Sequence, residues 1–160
     1  MKKTIVIALA VILLATCAKK ETSNKDDFVM DGTVLVKYKG NAANVTIPEG
    51  VISIGDYAFS ECYSLTSIII PSNVTSIGDW AFERCANLSN LTIPSSVTII
   101  GESAFSRCLC LTSITIPSSV ISIGDFAFNG CDKLRTVVVS KKTTIGEDAF
   151  PDGVQITYSD

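Results

Sequence analysis

Between residues 45 and 150 the apolar positions return in the same order again and again. In each unit a segment such as Leu111 to Ile116 alternates near its end and is rich in β-branched side chains, as a short strand with one buried face should be. A proline then stops the strand. The next stretch, such as Ile123-Gly124-Asp125-Phe126-Ala127-Phe128, places a glycine and an acid before an apolar pair, which predicts a turn entering a brief helical or 3₁₀ piece. One unit is a strand and a return. The units keep step: Pro48, Pro71, Pro94 and Pro117 are each 23 residues apart, and so are Gly55, Gly78, Gly101 and Gly124. The same interval relates Phe59, Phe82, Phe105 and Phe128, then Leu65, Leu88, Leu111 and Leu134, then Cys62, Cys85, Cys108 and Cys131. A fixed period of this length predicts a solenoid, in which one unit cannot bury its apolar face alone and a stack can.

A solenoid needs ends that differ from its repeats, because a terminal coil would otherwise expose core. Residues 28–46 read as an amino-terminal cap, with Asp31-Gly32 between apolar runs from Phe28 to Tyr38 predicting a β-hairpin. Repeats fill 47–139. Residues 140–160 read as the other cap: Ile145-Gly146 and Ala149-Phe150 persist, the cysteine is lost, and Pro151-Asp152-Gly153 turns into a final strand near Val154 to Tyr158.

The first 27 residues have a different character. Lys2 and Lys3 precede an apolar run from Ile5 to Leu14, too short to span a bilayer as a helix, and residues 1–16 read as a signal peptide. Leu14-Ala15-Thr16-Cys17 resembles the lipobox of bacterial lipoproteins, with Thr16 departing from the small residue usual there. That resemblance implies lipid on Cys17 and a membrane anchor, while residues 17–27, mixed in charge and poor in apolar residues, read as a tether. The expected location is the bacterial cell envelope, at the outer membrane or the cell surface.

The run LTSITIPSSVISIGDFAFNGC, residues 111–131, resembles the BspA-like leucine-rich repeat of bacterial surface proteins, and the likeness extends from Val45 to Phe150. The resemblance implies a leucine-rich-repeat solenoid, curved, with a parallel β-sheet on its concave face. It also implies a protein partner, from a host or another bacterium, since the family is associated with adhesion.

Composition narrows the chemistry. The chain has no histidine, which removes serine triads, Cys-His dyads and histidine zinc sites. No enzyme activity, cofactor or metal is expected. Without residues 1–16 there are 11 basic residues against 16 acidic, a balance of about −5 that gives no footprint for nucleic acid. The cysteine column reads as buried thiols, with disulfides between coils as the other possibility, and Cys110 as a free surface thiol. Asp56, Asp79, Glu102, Asp125 and Glu147 form a row suited to capping backbone N–H groups at each return.

Two sets of residues are candidates for contact with a partner. On the concave strands Asn44, Ser67, Asn90, Ser113 and Thr136 form one outward row, and Thr46, Ile69, Thr92, Thr115 and Val138 the next. Such a small, mostly hydroxylated face suits many weak contacts with an extended protein, or simple solvation. On the convex side Tyr57, Trp80 and Phe126, with Ser103 among them, occupy a variable position where aromatics either anchor an interface or pack between coils.

Overall fold

The computed structural model describes residues 23–159; the expected signal peptide, Cys17 and the expected tether up to residue 22 lie outside the described residues. The chain opens with a 3₁₀ turn, Lys25–Asp27, and the hairpin expected from Asp31-Gly32, built of β1 (Phe28–Asp31) and β2 (Val34–Tyr38). Gly32 sits at φ 57°, the left-handed conformation that a two-residue hairpin turn requires and glycine adopts without strain. In chain order the coils then supply β3 (Asn44–Thr46) and β4 (Ser53–Ile54), β5 (Ser67–Ile69) and β6 (Ser76–Ile77), β7 (Asn90–Leu91) and β8 (Ile99–Ile100). They continue with β9 (Ser113–Thr115) and β10 (Ser122–Ile123), β11 (Thr136–Ser140) and β12 (Thr144–Ile145), before β13 (Gln155–Ser159) closes the far end.

Two ladders run along the solenoid where the sequence suggests one. The expected strands β3, β5 and β7 pair in parallel and in register, as do β9, β11 and β13. The second ladder is unbroken: β2, β4, β6, β8, β10 and β12 pair in parallel, and β1 adds antiparallel to β2. The hairpin thereby covers an edge that would otherwise offer unpaired backbone to another chain. Between the ladders a four-residue turn begins at each proline, closed for example by Val74 N–H donating to Pro71 O.

The coils approach so closely at the second ladder that a side chain cannot fit. A Cβ placed on Gly78 would lie 2.8 Å from the carbonyl carbon of Gly55 on the preceding coil. Beside this glycine column the acids act across coils. Asp56 Oδ1 accepts from Asp79 N at 2.9 Å, Asp79 Oδ1 from Glu102 N at 2.8 Å, and Asp125 Oδ1 from Glu147 N at 2.8 Å. Each caps the coil that follows instead of its own return.

The returns correct the expectation of a helical or 3₁₀ piece. Ala58, Ser60 and Cys62 donate three residues back, to Gly55, Tyr57 and Phe59, as in a 3₁₀ helix. The alternate donors Tyr57, Phe59 and Glu61 reach instead to Asp79, Ala81 and Glu83 of the next coil. With every second N–H engaged outside, no regular helix can propagate. Residues of left-handed φ make this alternation possible: Tyr57 and Glu61, Trp80 and Arg84, Ser103 and Arg107, Phe126 and Gly130.

The core lies between ladders and returns. Phe59, Phe82, Phe105 and Phe128 are fully buried and stack with ring centroids 4.9 to 5.1 Å apart. Tyr38 ends the stack on the hairpin side at 5.1 Å, and Phe150 on the other at 5.3 Å. Leu65, Leu88, Leu111 and Leu134, which precede the strands of the first ladder, are buried with them.

Candidate functional site

The outward rows fall where the alternation places them. Asn44 pairs with Ser67 and Ser67 with Asn90, while Ser113 pairs with Thr136. In the neighbouring row Thr46 pairs with Ile69, and Thr115 with Val138. Thr92 is exposed just past the end of β7. Side chains between the rows point inward: Val45, Ile68, Ile114 and Val137 are buried. Ile69, 61 % exposed, is an aliphatic residue standing among hydroxyls and amides.

The face is not continuous, because no ladder joins β7 to β9. The inward residue of β7 is Leu91, unbranched at Cβ where its equivalents Ile68, Ile114 and Val137 are branched, and it is only partly buried. Branched side chains suit the pleated surface and leucine fits it less well. A shallow depression of about 370 Å³ opens at this interruption, lined by Ile69, Asn90, Leu91, Thr92 and Ser113 among others.

At the returns Tyr57 and Trp80 stack at 5.0 Å with their planes 8° apart, the exposed Tyr57 lying on a half-buried Trp80. Phe126 is separated from them by the coil that carries Ser103. All four have left-handed φ, between 50° and 57°.

The cysteines do structural work. Cys85, Cys108 and Cys131 are buried and free, and their thiols donate to Phe59 O, Phe82 O and Phe105 O at 3.1, 3.4 and 3.1 Å. Phe59 O also accepts Cys62 N–H, so the thiol satisfies the second lone pair of a buried carbonyl. A shared hydrogen bond with Cys62 and burial hold the Cys85 thiol neutral well above the ordinary range. Burial raises Cys108 likewise and pushes Cys131 up to about 12. Cys110 is half-exposed, with Lys133 Nζ 3.8 Å from its sulfur.

Two exposed features escaped the sequence reading. Tyr63, Arg84, Ala86, Arg107 and Leu109 line a groove of about 380 Å³ beside the returns, and Ile99 on β8 and Ile121 just before β10 stand exposed. For Ile99 the signal was an apolar residue where the equivalent Ser53, Ser76 and Ser122 are polar. Among the described residues no helix is long and apolar enough to cross a membrane, and no group of three metal-binding side chains converges.

The architecture has solved counterparts. A leucine-rich repeat protein of T. pallidum is 29 % identical and superposes with a TM-score of 0.78, over 83 % of this chain and 68 % of its own. A leucine-rich cell surface protein from Faecalibacterium prausnitzii is 35 % identical, with a TM-score of 0.75 over 79 % of this chain. A leucine-rich repeat protein from Bacteroides ovatus is 34 % identical, with a TM-score of 0.69 over 83 % of this chain. The chain spans only 35 % of the Faecalibacterium protein and 41 % of the Bacteroides one. No curated protein matches the chain. Six copies of the BspA type leucine rich repeat region match residues 35–157, and the 23-residue coil with its stacked phenylalanines accounts for them: the chain belongs to the BspA-type leucine-rich repeat family.

Proposed function

We propose that this protein is a non-catalytic surface scaffold that binds another protein through the outward rows of its first ladder and is tied to the bacterial envelope by lipid on Cys17. The observation that carries the reading is Ile69, an aliphatic side chain held outward on a fixed strand and ringed by Ser67, Asn90 and Thr92. A lone apolar anchor within a small polar surround is how many interfaces place their strongest contact. The Faecalibacterium protein is described as a cell surface protein, which supports the signal peptide expected over residues 1–16 and the lipobox-like Leu14-Ala15-Thr16-Cys17. A role in adhesion follows the family resemblance, and clustering of tethered copies would strengthen weak contacts without adding new ones.

Intact mass of protein purified from its native membrane, with protease added to whole cells, tests the anchor and orientation. A lipid adduct on Cys17 and external cleavage are expected; an unmodified Cys17 ends the anchored reading. Capture of host matrix proteins and bacterial surface proteins by wild type and Ile69→Glu tests the face, and equal capture by both removes Ile69 from it.

The Tyr57–Trp80 stack, with Tyr57 exposed on it, favours a second reading, a structural role within an envelope complex. Trp80→Ala separates the two: loss of such a complex with partner capture intact selects the second, and the reverse pattern selects the first.

A further inference from the structure

We propose that the return carrying Glu102 and Ser103 is a binding slot for the guanidinium group of an arginine side chain on a partner protein. The proposal goes beyond the scaffold reading, since it concerns the returns and uses neither outward row. It begins with the regularity of the corner. Tyr57, Trp80, Ser103 and Phe126 stand at equivalent places, each with left-handed φ and each donating its N–H to the coil that follows, at Asp79, Glu102, Asp125 and Glu147. Where two adjacent coils both carry rings, as at Tyr57 and Trp80, the rings stack at 5.0 Å. Ser103 carries no ring, so the face of Trp80 turned away from Tyr57 has no aromatic neighbour, and Phe126 has none among the described residues. Ser103 is not covered over, being half-exposed.

The size of the missing rung is set by the stack. Phe82, Phe105 and Phe128 are spaced at 5.1 Å and 5.1 Å, so two coils advance about 10 Å. A planar group in the place of the absent ring lies about 5 Å from the rings on both sides, within the roughly 6 Å at which a cation is drawn to an aromatic face.

Charge selects which planar group. Asp56, Asp79 and Asp125 spend a carboxylate oxygen on the backbone of the next coil, whereas Glu102, one methylene longer, does not. The Cβ built on Gly124 meets backbone atoms of Glu102, where the equivalent positions at Gly78, Gly101 and Gly146 meet an aspartate oxygen. Among the described residues the Glu102 carboxylate has no hydrogen bond or ion pair. The ring is missing and the carboxylate is free on the same coil, and the chain as a whole is acidic. Guanidinium is the flat cation of proteins: it stacks on rings and pairs with carboxylate, while the ammonium of lysine is a strongly hydrated point charge.

Trp80 is the only tryptophan, so its fluorescence reports on the slot directly. The test titrates the purified full-length protein with an amidated tri-arginine peptide at about 0.15 M salt, beside tri-lysine, tri-citrulline and a neutral tryptophan-free aromatic peptide. A saturable change for tri-arginine, with roughly tenfold weaker response to lysine and citrulline, is expected. Ser103→Phe, which fills the rung, should abolish the response while far-UV circular dichroism stays unchanged. Glu102→Gln, a surface change with no packing consequence, should weaken it about fivefold. Equal response to arginine and lysine, a stronger response to the neutral aromatic peptide, or full binding by Glu102→Gln overturns the proposal. Because none of these readouts involves Ile69, failure of the slot leaves the partner-binding face to be judged by its own capture experiment.

Discussion

The two ladders are built from the same coils, yet one is continuous from the hairpin to β12 and the other is interrupted between β7 and β9. The difference lies in what holds them. At the second ladder the glycine column lets backbones meet, each glycine N–H donates to the preceding coil, as Gly101 does to Ile77 O at 2.9 Å, and aspartates bridge the coils alongside. Most of what holds it is backbone, and only the aspartate bridges depend on a side chain. The first ladder depends on one inward residue per strand, and it parts where that residue is Leu91. Backbone-to-backbone contact tolerates drift in surrounding side chains, while ladders held by packing register every change in shape.

The comparison is broken most strongly by removing what both ladders share. Phe105→Ala takes a ring from the middle of the stack and should cost about 3–5 kcal/mol, with loss of cooperativity in urea unfolding. Gly101→Ala strikes the second ladder alone. Its Cβ would meet Asp79 N at 2.7 Å and Gly78 C at 2.7 Å, so the coils must shift, at a cost of roughly 1–3 kcal/mol read from the denaturant midpoint.

Alkaline pH acts on the returns between the ladders. Cys131 is raised from 9.0 to about 12 in the folded chain. The unfolded chain therefore releases its proton first, so the stability is present below pH 9 and lost as pH rises toward 12. At pH 10 the loss is about 1.4 kcal/mol for such a thiol, and Cys131→Ala should flatten the decline in stability between pH 8 and pH 10. An unchanged slope would remove the buried thiol from the cause.

Two smaller changes sharpen the comparison in the stabilising direction. Asn73 donates through Nδ2 to Val51 O at 2.8 Å, but its Oδ1 is buried without a partner. In the next coils Ser96 and Ser119 make the same bond to Val74 O and Val97 O with nothing left over. Asn73→Ser should raise stability by about 1 kcal/mol in urea unfolding. Leu91→Ile restores the branched residue to β7 and should gain under about 1 kcal/mol. Its clearer readout is amide exchange: Thr112 and Ser113, at the break, should become slower if the ladder closes.

Period and alternation made the coil and both outward rows legible in the sequence, because each rests on a repeated side-chain type, while the hairpin was legible from its Asp31-Gly32 turn. The second ladder was hidden because a two-residue strand such as Ser76–Ile77 has no period to detect. The returns were misread for a related reason: Gly-acid-x-Ala-Phe has the composition of a helix start, and only the neighbouring coil shows that Tyr57 and Phe59 donate outward. Tyr57 on Trp80 was visible as a column, though not as a stack. Leu91 was in plain view among Ile68, Ile114 and Val137, yet its effect depends on coils that meet in space.

The aspartate bridges also give the molecule a direction. In each case a carboxylate on an earlier coil receives an N–H from a later one, never the reverse. A chain that leaves the ribosome amino end first therefore carries its own template: the hairpin is complete before any coil is made, and Asp56, Asp79 and Asp125 each present an acceptor to the coil made next. Along the aspartate column synthesis and assembly can run the same way, and a partly made chain would then be a shorter solenoid with one open end.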